Sequence, residues 1–556
     1  MEHVWFKQYE QGVPHDIDVK EYNHIPHILD TSFEKFADRP SFHNMGKTLS
    51  YSELDLLSKK FASYLQNDLG LKKGSRIAIM LPNILQYPIA AFGALRAGLI
   101  VVNVNPLYTK RELEHQLKDS GAETIVIFAN AGATLQAVVK NTPVKNIIVT
   151  EIGDMLGFPK SLIVNFVLKY VKKMVPAYSF DKSISFKSTL VAGDESKFKK
   201  PEVNLEDTAF LQYTGGTTGV SKGAVLTHGN IVANMVQARE WLSNSITEGK
   251  EIIITPLPLY HIFSLTANCF VFSSIGAQNI LITNPRDIPG FVKELSKWKF
   301  TAFTGVNTLF NALINNEEFK QLDFSSLRLT LGGGMAVQKA VAEKWKAITK
   351  KPLIEAYGLT ETSPAACINP LTLEAYNGFI GVPISSTIVE IKDENGVTLP
   401  NNEVGEICIK GPQVMQGYYN RPEETAKVMT ADKFFRTGDL GFMNDDGYFK
   451  IVDRKKDMIL VSGFNVYPNE IEDALITHPK VLEAAAVGLA HEKSGEVVKV
   501  FIVKKDNSLT EDEIITHCKS ELTGYKVPKS VEFRESLPKT NVGKILRREL
   551  KEQPRV

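Results

Sequence analysis

A run of glycines, threonines and a lysine at residues 213–223, YTGGTTGVSKG, carries the strongest chemical signal in this sequence. Its four glycines let the backbone turn tightly, so that several N–H groups can point at one anion. Thr214, Thr217 and Thr218 add hydroxyl donors, and Lys222 adds a positive charge. The run is not a Walker A loop, because Ser221 precedes the lysine instead of following it. These residue types therefore predict a phosphate-binding loop.

The elements around this loop are predicted to form a mostly parallel sheet covered by helices. Short apolar, β-branched runs alternate with segments that have helical spacing of apolar residues, and such alternation is typical of βαβ units. The predicted strands lie at 75–81, 100–104, 123–128, 145–150 and 208–212, and the predicted helices at 51–68, 86–97 and 110–120. The phosphate-binding loop directly follows the last of these strands.

The pattern changes after about residue 380, where short strands and turn signals such as Asp445-Asp446-Gly447 replace the alternation. This pattern predicts a small antiparallel or β-barrel-like unit at about 380–452. A charged break at 453–457, DRKKD, separates it from a final stretch of mixed helices and strands. We therefore expect an α/β protein with an N-terminal domain at 1–452 and an α+β C-terminal domain at 453–556.

Composition excludes several classes of protein. The 556 residues balance 64 Lys and Arg against 63 Asp and Glu, which argues against a nucleic-acid partner. The four cysteines show no metal-binding spacing and predict reduced thiols in a cytoplasmic protein. The N-terminus lacks a secretory signal pattern. The uncharged stretches 77–95 and 262–282 contain too many polar residues for a transmembrane helix.

One segment predicts contact with a membrane surface. From Met155 to Ser179 the chain has four lysines, no acidic residue and many large apolar side chains. A basic amphipathic segment of this kind can lie in an anionic lipid interface. The alternative, a surface helix packed on its own domain, is equally compatible with the pattern.

Five motifs together resemble the acyl-adenylate-forming superfamily, which includes acyl-CoA synthetases, luciferases and peptide-synthetase adenylation domains. In chain order they are the glycine-rich loop, YGLTE at 357–361, RTGD at 436–439, DRK at 453–455 and PKTNVGK at 538–544. Further stretches are similar specifically to bacterial long-chain fatty-acid–CoA ligases, and this similarity covers nearly the whole chain. They are YHIF at 260, ITNPRDIPG at 282, the run from 432 to 459, and VSGFNVYPNEIED at 461.

The resemblance implies the reaction. ATP would convert a long-chain fatty acid into an acyl-AMP with release of pyrophosphate, and CoA would then form the thioester and release AMP. ATP and CoA are thus the implied co-substrates and Mg²⁺ the implied cofactor, and the product would enter fatty-acid degradation and lipid metabolism. The resemblance also implies that the C-terminal domain is mobile and rotates about a hinge near Asp453.

The resemblance further implies a role for each motif residue. Lys544, His261 and Glu361 would be catalytic, with Lys539 a less favoured alternative to Lys544, and Glu361 would hold Mg²⁺ together with Thr214. Asp439 would bind the ribose, and Arg454 would help to hold the ribose or a phosphate. Asp453 and Gly463 would serve the hinge and CoA. The ATP-binding set comprises Thr214, Gly215, Gly216, Thr217, Thr218, Gly219, Lys222, Gly333, Gly334, Tyr357, Gly358, Thr360, Asp439, Arg454 and Lys456.

Two other functions are compatible with the same sequence. The chain could adenylate a medium-chain or another carboxylate, or it could be a catalytically silent lipid-binding protein on the same fold. The intact set of motif residues argues against the silent protein. Some related long-chain enzymes have an aromatic tunnel gate, and Leu265 occupies that position here. We expect a cytoplasmic protein at the inner face of the cell membrane, and a homodimer is compatible with the sequence.

Overall fold

A computed structural model describes residues 3–214, 221–491, 494–540 and 543–551 of the chain. Its large N-terminal part contains two helix-covered sheets, as the alternating pattern predicted. Eight described strands form the first sheet, whose central strands are parallel. In order across the sheet they are Gly417–Tyr418, Lys222–Thr227, Thr208–Thr214, Ile100–Asn103, Arg76–Met80, Thr124–Phe128, Asn146–Thr150 and Ile184–Ser185.

The second sheet has nine described strands and is also parallel at its centre. Its strands, in order, are Val382–Pro383, Ala365–Ile368, Ile354–Gly358, Leu329–Gly333, Ala302–Gly305, Ile252–Thr255, Gln278–Leu281, Pro40–Asn44 and Lys47–Ser50. The central strands are buried along almost their whole length, because helices cover both faces of a parallel sheet.

The β-rich unit is an open antiparallel sheet, so the predicted antiparallel form is confirmed and the barrel-like form is wrong. Its four described strands are all antiparallel and run in the order Ile388–Lys392, Gly405–Lys410, Phe435–Met443 and Phe449–Arg454. Alternating short strands and turns are common to barrels and to open sheets, and only the pairing of the first and last strand distinguishes them. That long-range pairing leaves no local pattern in the sequence.

The small C-terminal part has its own sheet and its own apolar core. The strands Phe464–Val466, Ile459–Val461, Gly495–Lys504 and Val481–His491 pair in this order, and Ser530–Arg534 adds to Gly495–Lys504 in parallel. Helices Pro468–Ile476 and Glu511–Glu521 pack on this sheet, and Arg547–Lys551 ends the described chain. This mixed arrangement is the α+β unit that the sequence predicted.

The remaining α-helices belong to the N-terminal part, and most of them cover the two large sheets. They are Ile25–Lys35, Tyr51–Asn67, Gln86–Arg96, Lys110–Ser120, Gly132–Gln136, Lys160–Phe166, Phe186–Ala192, His228–Leu242, Phe272–Ser274, Ile288–Leu295, Asn307–Ile314, Glu317–Lys320, Lys339–Thr349 and Pro422–Val428. Wider π-helical turns occupy Val167–Val171 and Ser264–Val271. None of the helices in the described parts of the chain combines the length and the apolar character that crossing a bilayer requires.

Candidate active site

Several predicted site residues of the N-terminal part stand at the carboxyl ends of strands. Thr214 closes strand Thr208–Thr214, and Gly333 and Gly358 close two neighbouring strands of the second sheet. Ligands of open α/β sheets bind at these carboxyl ends of strands. The turn that begins at Thr360 follows Gly358 directly. The predicted loop residues Gly215, Gly216, Thr217, Thr218 and Gly219 lie outside the described residues.

Lys222 begins strand Lys222–Thr227 and contacts side chains of the edge strand Gly417–Tyr418 and of helix Pro422–Val428. It forms an ion pair with Glu424 and lies over the ring of Tyr418, with 5.0 Å between Nζ and the ring centroid. Thr214 pairs with it across the two strands. These contacts anchor Lys222 at the start of its strand.

Glu361 presents a buried carboxylate beside these residues. Only 8% of the residue is exposed, and Oε1 accepts a hydrogen bond of 2.7 Å from the hydroxyl of Tyr418. Burial raises the pKa of Glu361, and the bond from Tyr418 opposes this effect. A buried carboxylate of which one oxygen already accepts a hydrogen bond is a favourable partner for a cation.

Asp439 is held from two sides. The hydroxyl of Tyr357 donates to Oδ2 at 2.7 Å, and Nε of Arg454 lies 3.3 Å from Oδ1. Strand pairing sets the second contact, because Asp439 and Arg454 are directly opposite each other in the four-stranded sheet. Asp439 is 5% exposed and can accept hydrogen bonds from a ligand's hydroxyl groups.

Lys544 reaches this site from the C-terminal part of the chain. Its Cε lies 3.6 Å from the position that a Cβ on Gly334 would occupy. Burial lowers the pKa of Lys544 to about 8, with a further lowering by Arg454 and opposing contributions from Asp439 and Glu361. Lys539, the alternative candidate, forms an ion pair with Glu483 instead. The structure thus brings Lys544 together with both carboxylates.

The backbone before Lys544 is locked against the N-terminal part. The hydroxyl of Thr308 donates to the carbonyl oxygen of Gly543 at 3.2 Å. Gly543 has a φ of +84°, and a Cβ there would lie 2.6 Å from Oγ1 of Thr308. Only glycine fits this close approach without strain.

His261 contributes a neutral imidazole to the same site. Burial lowers its pKa to about 3, and the positive charge of Lys544 adds to this effect. The N–H of Phe263 donates to Nδ1 at 3.3 Å, so the ring proton is placed on Nε2. His261 can therefore donate one hydrogen bond from Nε2 to a ligand oxygen.

Asp453, the predicted hinge residue, is fully buried between the two parts of the chain. Its carboxylate accepts hydrogen bonds from the N–H groups of Arg454, at 2.7 Å, and Asn469, at 2.9 Å. Arg547 lies 3.5 Å from the same carboxylate. Lys456 is in the turn that follows. Gly463 lies in a second turn, where an added Cβ would meet no atom within 4 Å.

Three residues of this site were missed by the sequence analysis. Tyr418, Glu424 and Thr308 lie far along the chain from the groups that they contact. None of them belongs to a motif, and each acquires its role only through tertiary contact.

Fold and site together define an adenylate-forming enzyme. A family model described as AMP-binding enzyme matches residues 29–419, and the model of its C-terminal domain matches 470–544. The chain belongs to the AMP-binding enzyme family. It is 56% identical over 553 residues to a long-chain-fatty-acid–CoA ligase of Yersinia pestis, covering all of this chain and 98% of the relative.

Solved structures agree with this assignment. ATP-bound MatB from Rhodopseudomonas palustris superposes with a TM-score of 0.81 at 26% identity, covering 96% of this chain and 99% of that one. The apo form of MatB gives a TM-score of 0.72 over the same shares of the two chains. The arrangement of this chain is therefore closer to the ATP-bound form.

Proposed function

We propose that this chain is a long-chain fatty-acid–CoA ligase. In the first half-reaction a carboxylate oxygen attacks the α-phosphorus of ATP, giving acyl-AMP and pyrophosphate. In the second, the sulfur of CoA attacks the acyl carbon, the bond to AMP breaks, and the thiol proton is released. The main support for this proposal is that one site contains Lys544, His261, Glu361 and Asp439. In addition, a relative that is 56% identical to this chain is named long-chain-fatty-acid–CoA ligase.

The charges of the site suit the first half-reaction. Two anions must approach each other, so the site has to supply positive charge and fixed donors where negative charge accumulates. We assign this role to Lys544, which places a cation between the fatty carboxylate and the α-phosphate. His261 would donate from Nε2 to a carboxylate oxygen and orient the attack. Asp439, held by Tyr357 and Arg454, would bind the ribose hydroxyls.

The residues present also fit Mg²⁺. In the described ranges no group of three or more His, Cys, Asp or Glu side chains could hold a metal by itself. Mg²⁺ bound to a nucleotide needs only one or two protein oxygens in addition to phosphates and water. Glu361 supplies a buried carboxylate whose pKa is raised, and a bound cation would stabilise its charged form. Thr214 supplies a hydroxyl. Bound Mg²⁺ would neutralise charge on the phosphates.

We further propose that the hinge at Asp453 separates an N-terminal domain at 1–452 from a C-terminal domain at 453–556. The pose described here presents Lys544 to the site and leaves the turn at Gly463 in open space. Rotation about Asp453 would withdraw Lys544 and bring the Gly463 turn to the site for CoA. The better superposition on ATP-bound MatB supports an assignment of this pose to adenylation.

The proposal is tested by measuring AMP and acyl-CoA with ATP, Mg²⁺, CoA and carboxylic acids from acetate to oleate. We expect thioester formation that rises towards the long chains. A maximum at medium chains or with an aryl acid would favour the alternative carboxylate ligase. Pyrophosphate release without acyl-CoA would indicate another acceptor. A folded sample without ATP–pyrophosphate exchange would contradict the enzyme and favour a silent lipid-binding protein.

We also propose that the segment from Met155 to Ser179 binds the inner face of the cell membrane. Phe158, Leu162, Phe166, Tyr170 and Val171 expose 58–88% of their surface. A helix packed on its own domain would hide such side chains, so this exposure favours the membrane over the alternative. Lys169, Lys172 and Lys173 are exposed in the same segment and complement anionic lipid headgroups.

Vesicle flotation tests the membrane proposal. Vesicles of equal parts phosphatidylcholine and phosphatidylglycerol should carry the chain at low salt, and pure phosphatidylcholine should carry less. Exchanging Phe158→Ser and Phe166→Ser should abolish flotation, whereas Val191→Ser should not, although Val191 is 84% exposed elsewhere on the surface. Equal flotation of all variants would contradict the proposal. The homodimer stays a prediction, which sedimentation velocity would test.

A further inference from the structure

The loop that carries His261 follows strand Ile252–Thr255, and its backbone cannot continue the hydrogen bonding of that strand. Strand Ile252–Thr255 of the second sheet ends where Pro256 and Pro258 remove two N–H groups. The loop nevertheless lies in the protein interior, with Leu257 and Leu259 buried. Its remaining backbone groups must find partners there, because a buried unpaired group destabilises the fold.

One side chain supplies three of these partners. Nδ2 of Asn83 donates to the carbonyl oxygens of Thr255, at 3.0 Å, and Leu257, at 2.9 Å. Its Oδ1 accepts from the N–H of Leu259 at 2.8 Å. Asn83 is 3% exposed and follows strand Arg76–Met80 of the first sheet. The side-chain amide of Asn83, next to the first sheet, thus fixes the loop that follows strand Ile252–Thr255 of the second sheet.

A second buried amide holds the end of the loop. Nε2 of Gln212 donates to the carbonyl oxygen of Tyr260, next to His261, at 2.7 Å. Its Oε1 accepts from Asn103 at 3.0 Å, and Oδ1 of Asn103 accepts from the hydroxyl of Tyr87 at 2.8 Å. These bonds fix the orientation of the Gln212 amide. The backbone on both sides of Pro258 is therefore tied to the first sheet.

We infer that Asn83 and Gln212 are positioning residues, which set the place of the His261 imidazole relative to the fatty carboxylate. The inference rests on the role proposed for His261. Thr214 ends a strand of the first sheet, whereas His261 follows a strand of the second, and the two amides join these sheets at the site. A misplacement of about 1 Å in a reacting group can lower a rate about a hundredfold. Both amides would thus act through His261 and need not touch the substrate.

The test is a double-mutant cycle with His261→Ala, read as the single-turnover rate of acyl-AMP formation. Asn83→Ala and Gln212→Met should each lower this rate about ten- to a hundredfold, with the KM for ATP unchanged. In the His261→Ala background neither exchange should lower it further, because the group that they position is gone. Asn279→Ala is the matched control. Its Oδ1 accepts from the Thr255 side chain at 2.9 Å and does not contact the loop backbone, so the parental rate is expected.

The outcomes separate this inference from the proposed role of His261. If His261→Ala keeps the parental rate, both are wrong. If His261→Ala is impaired and Gln212→Met lowers the rate by the same factor in both backgrounds, the amides act independently and only this inference is overturned. Should Asn83→Ala fail to fold, Gln212→Met decides alone, because it preserves the length of a side chain on a central strand.

Discussion

At the scale of single residues, the charge of Lys544 predicts how adenylation depends on pH. Burial lowers its pKa to about 8, so the ammonium loses its proton as the pH rises through that value. In the role proposed for Lys544 only the charged form stabilises the reacting anions, so kcat/KM for pyrophosphate release should fall above about pH 8. Lys544→Arg keeps its charge and should move this decline to higher pH. An unmoved decline in that variant would assign it to another group.

Gly543 supports a second prediction at this scale. Gly543→Ala places a Cβ at a φ of +84° and 2.6 Å from Oγ1 of Thr308, so Lys544 should no longer seat properly. Left-handed strain of about 1–2 kcal/mol corresponds to about a tenfold loss of the adenylation rate. Thr308→Ala in addition should recover part of that loss. Gly524→Ala is the control, since its Cβ would meet nothing within 4 Å. Equal losses in both glycine variants would contradict the explanation.

At the scale of elements, helix Asn307–Ile314 docks the C-terminal part in the present pose. Nδ2 of Asn311 donates to the carbonyl oxygen of Leu482 at 3.2 Å. Asn311→Ala removes a hydrogen bond of about 1 kcal/mol and should slow adenylation about fivefold, while thioester formation from supplied acyl-AMP stays unchanged. Lys344→Ala, at an exposed position of the neighbouring helix, is the control. Equal slowing of both half-reactions would show that Asn311 does not favour one pose.

Elements with local signals were predictable from the sequence, and those that depend on distant pairing were not. The helix predicted at 110–120 is confirmed, because Thr109 and Glu112 form a capping box and Gly121 ends it at a positive φ. Strand Val481–His491, by contrast, extends well beyond its apolar run at 484–487, because its full-length partner Gly495–Lys504 stabilises residues that have no strand pattern of their own. The open form of the four-stranded sheet could not be predicted for the same reason, because the pairing of distant strands leaves no local pattern in the sequence.

The residues of the candidate site likewise fall into a group that the sequence predicts and a group that it does not. Motif residues such as Asp439 and Lys544 were predictable, since their types and order along the chain carry the resemblance. Their partners Tyr418 and Thr308 were not, because hydrogen bonds between distant segments leave no spacing to detect. The two amides that hold the His261 loop belong to this second group.

At the scale of the whole molecule, the hinge should decide which half-reaction proceeds. Asp453 is the penultimate residue of the edge strand Phe449–Arg454, and Asn469 and Arg547 of the C-terminal part contact its carboxylate. Asp453→Pro fixes φ near −65°, a value that an edge strand tolerates but that prevents rotation about this bond. We therefore expect acyl-AMP formation to fall less than about tenfold and thioester formation to fall far more. Separate single-turnover measurements of the two half-reactions check this. Asp453→Asn, which removes the charge and leaves the dihedral free, should not separate them, and equal losses in Asp453→Pro would contradict a rotating hinge.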